Sequence, residues 1–289
     1  MKIVSLFDGI SCGMVALERA GINVEEYHAF EIEQNAITVS KKNYPQIKHH
    51  GNVYENDFKK FVGFDLLIGG SPCQSLSITQ SKKRKHLDGK SKLFFEYVRA
   101  KKTVNPRYFL FENVASMNVE SKRIISELLG CEPILIDSNC FSAQDRPRLY
   151  WTNIPNIKTN LKANPTVLKD ILEKEVEEKY FYNQKISGID MKKKVCATLD
   201  INGHDILKRV NNPNFKCQTL TTCGGGNTQK KVIDGVRARK LTPVEYERLQ
   251  TLPDGYTEGI ATTNRYTAIG NGWTADVIAY IFSFLPNAI

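Results

Sequence analysis

The sequence predicts an α/β fold: a doubly wound, mostly parallel sheet with a second, smaller domain attached. Two observations carry this. Short apolar runs alternate with helix-period segments through the first 150 residues or so, the signature of strands joined by crossover helices. From about residue 155 the composition shifts to Lys, Asn, Thr and Gly with little periodicity, which marks a different module.

In order, KIVSLF (2–7) is the first strand, and SCGMVALERAG follows it as a helix. Its Met14, Val15, Leu17 and Ala20 share one face, and Gly21 can end it. YHAF (27–30) is the second strand, followed by the helix EQNAITVSKKNYP, which stops at Pro45. FDLLIGG (64–70) reads as a buried strand, LFFEYVRAKK as a helix, RYFLFENV (107–114) as a strand, SKRIISELLG as a helix and ILIDSN as a strand. In the second module, LKDILEKEVEEKYF (168–181) is predicted to be one charged helix, with short strands such as KVCATLD after it. Thr242-Pro243 opens another helix, Thr as N-cap and Pro as first residue, and TADVIAYIFSFL is a final helix apolar enough to be buried against the sheet.

The 289 residues carry 40 Lys and Arg against 31 Asp and Glu, a net charge of +9, which suits a nucleic acid or another anionic surface. The seven cysteines are an odd number with no C-x-x-C pair, so neither a disulfide framework nor a zinc ribbon is expected. No metal site is expected. The first residues, with Asp8 inside their apolar run, do not read as a signal peptide, and ADVIAYIFSFL is too short to span a bilayer. A reducing cytoplasm, free thiols and no membrane partner are the expectation.

Two clusters carry chemistry. FDGISCG places Gly9 and Gly13 where a strand turns into a helix, so a ligand can approach the backbone closely. Some twenty residues on, the second strand ends in Glu31, suited to ribose hydroxyls. With no phosphate loop and no G-x-G-x-x-G, a nucleoside cofactor lacking a pyrophosphate fits better than a nicotinamide dinucleotide. The second cluster is GGSPCQSLS and FENV, which bring Cys73 and Glu112 to the carboxyl edge of the sheet. None of the five histidines stands in a motif that would pair it with Cys73, which disfavours a thiol protease. A nucleophilic thiol beside a carboxyl suits addition to an electron-poor ring.

FDGISCG, FEIE, GGSPCQ, FENV, SAQDRPRLYW, RKLTPVEYERLQTLPDGY and AIGNGWTADVI together resemble, in order, the motifs of the cytosine-C5 DNA methyltransferases. The resemblance implies a Rossmann-like methyltransferase domain at residues 1–172 and 258–289 with a target-recognition domain at 173–257. It implies S-adenosylmethionine as cofactor and double-stranded DNA as partner of a monomer. Cofactor contacts would come from Phe7, Asp8, Gly9, Gly13, Glu31, Ile32, Asn52, Val53, Gly70, Pro72, Asn271 and Gly272. Cys73 would attack C6 of a flipped-out cytosine while Glu112 holds N3, with Arg146 and Arg148 beside that nucleotide. DNA contacts would fall to Gln74, Ser75, Lys82, Lys83, Arg84, Lys85, Gln144, Thr219, Leu220 and Gly225.

Three residues depart from the family's pattern. Asn52 stands where an Asp is usual, so its amide oxygen would have to meet the adenine amino group, and Gly272-Trp273 replaces Ser-Val. The transfer-RNA branch of the family and an inactive DNA-binding module that has kept the fold remain the alternative readings.

Overall fold

The computed structural model describes residues 1–71, 93–223 and 227–286. The chain divides into two compact units. One comprises Met1–Asp137, Pro147–Leu161 and Asp276–Ile289; the other comprises Ser138–Arg146 and Lys162–Ala275. These borders differ from the expected 172/173 and 257/258. Residues 138–146 and 258–275 pack with the second unit because Ala143, Tyr266 and Ile269 bury their side chains in its core.

The first unit alternates β1 (Lys2–Leu6), α1 (Cys12–Arg19), β2 (Glu26–Phe30), α2 (Gln34–Asn43), β3 (Lys48–His49), β4 (Leu66–Gly69), α3 (Leu93–Val104), β5 (Tyr108–Val114), α4 (Val119–Leu129), β6 (Ile134–Asp137) and β7 (Pro147–Thr152). Its sheet has the order β3-β2-β1-β4-β5-β7-β6, parallel throughout except for β7, which runs antiparallel to both neighbours. The chain leaves β1 toward β2 and β3, then returns to β4 on the other side of β1. The crevice at this switch point, outside the carboxyl ends of β1 and β4, is where such sheets bind ligands.

On one face, Phe94, Tyr97 and Val104 of α3 and Ile125 and Leu129 of α4 meet Val4, Leu6, Leu67, Phe109, Phe111 and Trp151. Trp151 finishes the packing by donating its indole N–H to Ser126 Oγ at 3.0 Å. Gly69 has to be glycine, since a Cβ there would stand 2.8 Å from the Leu6 carbonyl oxygen and 3.1 Å from the Tyr97 ring.

The second unit holds a five-stranded sheet in the order β12-β11-β10-β9-β8. It is built from β8 (Ile186–Ser187), β9 (Val195–Leu199), β10 (Arg209–Asn211), β11 (Lys231–Asp234) and β12 (Arg237–Lys240), with the short helix α5 (Asp205–Lys208) between β9 and β10. After them come α6 (Pro243–Leu249) and α7 (Thr262–Asn271), and α8 (Ala275–Phe282) returns the chain to the first unit. Thr242 caps α6 as expected, its hydroxyl accepting from the Glu245 N–H while the Glu245 carboxylate accepts from the Thr242 N–H.

The charged helix expected over 168–181 does not form; the segment holds two 3-10 turns, Leu168–Ile171 and Glu178–Tyr180. Leu168 alone in it is fully buried, and past Leu172 no apolar stripe continues that could offset the ordering cost of a helix.

At the β2–β3 edge, His28 and His50 share a hydrogen bond of 2.8 Å and His28 meets Glu26 at 3.1 Å. Burial first, then Lys60 among other cations, pushes His50 down to about 4; burial also lowers His28 and His49. The unfolded chain, with histidines near 6.5, therefore takes up protons that the folded chain refuses. The stability held by the neutral rings is complete above pH 6.5 and is lost as pH falls toward 4. Melting temperature is expected to drop steeply across that window, with His50 contributing about 1–2 kcal/mol after allowance for its partial exposure. His50→Gln should flatten the profile; an unchanged slope would show that the acid loss arises elsewhere.

Candidate active site

The turn after β1 is built from conformations that L residues avoid. Phe7, Gly9 and Ser11 have φ of 58°, 58° and 59°, so every second residue is left-handed. Such alternation curls backbone N–H groups toward one side. The turn is fixed from below by Asp8, whose Oδ1 accepts from Ser5 Oγ and from the Tyr27 hydroxyl, both at 2.6 Å, while its Oδ2 accepts from Ser11 Oγ. Burial raises the Asp8 carboxyl and these hydroxyl donors pull against the rise. Asp8, expected as a cofactor contact, thus serves as the anchor of the turn.

Glu31, at the end of β2, closes over the same turn. Its Oε2 accepts from the Gly9 N–H at 2.7 Å, and its Oε1 accepts from the Ile32 and Glu33 N–H groups at 2.8 and 2.9 Å. Burial pushes this carboxyl up, and the three backbone donors offset part of the rise. Oε1 is thus filled by two donors, while Oε2 keeps a lone pair for a further one. Ile32 beside it is 61% exposed, an apolar side chain held out at a strand end. Asn52 caps the 3-10 turn Val53–Glu55, its amide oxygen accepting from the Tyr54 N–H at 3.1 Å, and Val53 is buried. Gly13 lies in α1, buried, and Gly70 follows β4 directly.

The chemical half gathers one strand over. Glu112 lies on β5 opposite Tyr150 of β7, and Arg148 stands two residues along β7 on the same face. Arg148 Nε meets Glu112 Oε1 at 3.0 Å, with only 13% and 12% of the side chains exposed. The guanidinium is further oriented by donating to the Pro147 carbonyl at 2.9 Å. The next residue on β5, Asn113, is buried and donates its amide to the Ser71 carbonyl at 3.4 Å. Ser71 lies within GGSPCQ and is the last described residue before Cys73, held against Asn113, the residue after Glu112. Neither Ser71 nor Asn113 was expected as a site residue; the Ser of GGS and the Asn of FENV were the available signals.

Pro72, Cys73, Gln74, Ser75, Lys82, Lys83, Arg84, Lys85 and Gly225 lie outside the described residues. Among the described cysteines, burial raises the thiols of Cys131, Cys196 and Cys217, the last to about 11, which is the wrong direction for a nucleophile. Among the described residues no group of three or more His, Cys, Asp and Glu side chains could hold a metal ion.

In the second unit the side chains of three expected site residues are buried. Gln144 and Leu220, expected on DNA, are 0% and 1% exposed. Gln144 donates to the Leu249 carbonyl at 3.1 Å and accepts the Leu220 N–H at 2.7 Å; Leu220 sits in the core with Tyr246 and Ile269. Arg146, expected at a nucleotide phosphate, is 5% exposed and donates to the carbonyls of Leu220, Gly270 and Gly272 at 2.8, 3.0 and 3.0 Å. A buried guanidinium spent on three carbonyls holds backbone in place and cannot turn to a ligand without leaving them unpaired.

Gln250, unforeseen, completes this lattice by donating to the Ile269 and Gly272 carbonyls, each at 3.0 Å. No feature near RLQTL marks it. Gly270 admits no side chain, because a Cβ would lie 2.4 Å from the Thr221 carbonyl oxygen. Asn271 is exposed and accepts a hydrogen bond from Thr222 Oγ1, while the half-buried Thr219 hydroxyl donates to the Asp145 carbonyl at 2.7 Å.

A family model described as C-5 cytosine-specific DNA methylase matches residues 1–286. The type II methyltransferase M1.ScrFI of Lactococcus lactis subsp. cremoris is 27% identical over 291 residues, covering 93% of this chain and 74% of that one. The orphan methyltransferase M.Rho11sI of Bacillus phage rho11s is 25% identical over 347 residues, covering 80% and 69%. In fold, the crystal structure of the S. pombe Dnmt2 methyltransferase superposes with a TM-score of 0.74 at 19% identity, covering 99% of this chain and 98% of that one. With the switch-point turn, the carboxyl–guanidinium pair and a family match over nearly the whole length, the chain belongs to the C-5 cytosine-specific DNA methylases.

Proposed function

We propose that this protein methylates C5 of cytosine in duplex DNA, with Cys73 as nucleophile and Glu112 as the group that holds the ring. The observation that carries the reading is the 3.0 Å pairing of Glu112 with Arg148 at the end of β5, beside the point where the chain enters the Cys73 motif.

The residues of the first unit suit S-adenosylmethionine, which has a ribose and an adenine but no phosphate. Glu31 keeps a lone pair on Oε2 for a ribose hydroxyl, the exposed Ile32 offers an apolar surface to the adenine, and the turn of Phe7 and Gly9 presents backbone to the amino-acid tail. Asn271 and Gly272, of the second unit, are further candidate contacts for this cofactor. When bound, this cofactor supplies a methyl group on a sulfonium.

C5 of cytosine is too poor a nucleophile to take a methyl group unaided at neutral pH. Addition of the Cys73 thiolate to C6 pushes the ring's electron pair toward C5, while the Glu112 carboxyl, in its acid form, passes its proton to N3 to give the enamine and takes that proton back when the thiolate is expelled. Arg148 keeps the Glu112 carboxyl turned to the ring and supplies the compensating charge. Once C5 carries the methyl group, loss of its proton to a base restores the double bond and expels the Cys73 thiolate.

The target base must leave the helix to reach a thiol, at a cost of a few kcal/mol. The net charge of +9 and the segment with Lys82, Lys83, Arg84 and Lys85 suit a phosphate backbone. Recognition of the flanking bases belongs to the 173–257 region, where Thr219, Thr222 and the glycines around Gly225 are the candidates. Incubating the protein with labelled S-adenosylmethionine and either duplex DNA or total transfer RNA tests the reading. Label in DNA is expected; label confined to transfer RNA overturns it.

A further inference from the structure

Arg99 lies on α3, outside every motif named above, yet both adenosine-facing segments of the first unit rest on it. Its Nη1 donates to the Asn56 carbonyl at 2.7 Å and its Nη2 to the Val53 carbonyl at 2.9 Å, so one guanidinium grips both ends of the loop that begins at Asn52. The same guanidinium stacks 4.6 Å from the centroid of the Phe58 ring. Phe58 is fully buried in a left-handed conformation (φ 60°), and its ring packs edge-on against Phe30 at 5.2 Å, the residue preceding Glu31. Glu96 fixes the fork from behind, accepting from Arg99 Nε at 2.9 Å and Nη2 at 2.6 Å.

The helix is in turn tied to the chemical half. The Tyr97 hydroxyl donates to the Leu67 carbonyl of β4 at 3.2 Å, and its ring occupies the space that a side chain at position 69 would need. α3 therefore spans from the strand that delivers the nucleophile motif to the loop and strand end that would face the adenosine.

We propose that Arg99 is a positioning residue for the cofactor: it sets the height of the Asn52–Asn56 loop and, through Phe58 and Phe30, of Glu31, without touching the ligand. This rests on the assignment of Glu31, Ile32, Asn52 and Val53 to S-adenosylmethionine. Only a planar fork can serve two carbonyls, a carboxylate and a ring face together; lysine keeps the charge but not the geometry.

Arg99→Gln and Arg99→Lys are the test, read by calorimetric titration with S-adenosylhomocysteine and by steady-state kinetics on duplex DNA. Two charge-assisted hydrogen bonds to the loop are lost, so affinity for S-adenosylhomocysteine should fall about tenfold and KM for S-adenosylmethionine rise in step. The kcat should stay within about twofold and DNA affinity should not move. Glu96→Gln, which leaves both carbonyl bonds in place, should show the same change at a fraction of its size even if Arg99→Gln folds poorly.

Wild-type affinity in Arg99→Gln, or a fall in kcat at unchanged KM, overturns the proposal. Asn52→Ala and Ile32→Asp separate it from the reading beneath it. If these too leave S-adenosylhomocysteine binding untouched, the cofactor assignment itself has failed; if they weaken binding and the Arg99 variants do not, Arg99 alone has lost its role.

Discussion

Replacing Cys73 with alanine is expected to lower methyl transfer by about 10⁴-fold or more, the scale seen when the sole covalent nucleophile of an enzyme is removed. Affinity for S-adenosylhomocysteine should remain within about twofold, because the described partners that fix Asp8 and Glu31 are Ser5, Ser11, Tyr27 and backbone N–H groups. DNA carrying 5-fluorocytosine sharpens the measurement. Fluorine at C5 cannot leave as a cation, so the wild-type enzyme should remain covalently attached and migrate as an adduct on a denaturing gel. Cys73→Ala should give none. An undiminished adduct in the variant, or no adduct with wild type, would refute thiol addition. Glu112→Gln should slow adduct formation without abolishing it, by about 10²–10⁴-fold, if Glu112 acts as the proton donor to N3 proposed above.

A second large effect falls on stability. Arg239 and Glu245 have fully buried side chains and meet through two parallel hydrogen bonds of 2.8 Å, with Arg239 Nε also on Asp234 at 2.7 Å. Arg239→Met leaves the Glu245 carboxylate buried with only N–H partners from Thr242 and Glu173. Breaking such a pair one-sidedly should cost about 3–5 kcal/mol in the second unit, measured by denaturant unfolding. Arg239→Met with Glu245→Leu should recover a good part of that loss, because the only charge then left without its partner is the solvent-exposed Asp234. A single-variant loss below about 1 kcal/mol would show that water reaches the site and that the pair is not dry.

The parallel strands were legible because each is a short apolar run followed by a helix-period segment, and local chemistry marked two boundaries correctly. Gly21 ends α1 with φ of 70°, and Thr242-Pro243 opens α6 with a full capping box. What tertiary contact decides was not legible. β3 is two residues long, and the direction of β7 depends on its pairing with β5, to which nothing in RLYW points. α7 escaped notice because TTNRYTAIGN offers only Tyr266, Ile269 and Gly270 to the interior.

At the site, residue identities were readable and burial was not. Glu112 and Arg148 were expected near one ring, but their direct pairing follows from cross-strand register. Gln144 and Arg146 read as surface groups for DNA because a polar side chain in sequence looks the same whether its partners are water and phosphate or buried carbonyls.

The antiparallel strand has a consequence for what the chain can tolerate in length. Side chains on β7 alternate, with Arg148 and Tyr150 on the Glu112 face and Leu149 and Trp151 in the opposite core. A single residue deleted within this strand would exchange the two sets, turning Trp151 away from its pocket and bringing an aliphatic side chain to the carboxylate. Changes of two keep the parity of the strand. The spacing of the two arginines in DRPR is thus a counting rule: one guanidinium is spent on backbone in the second unit, and the next but one reaches Glu112 on β5.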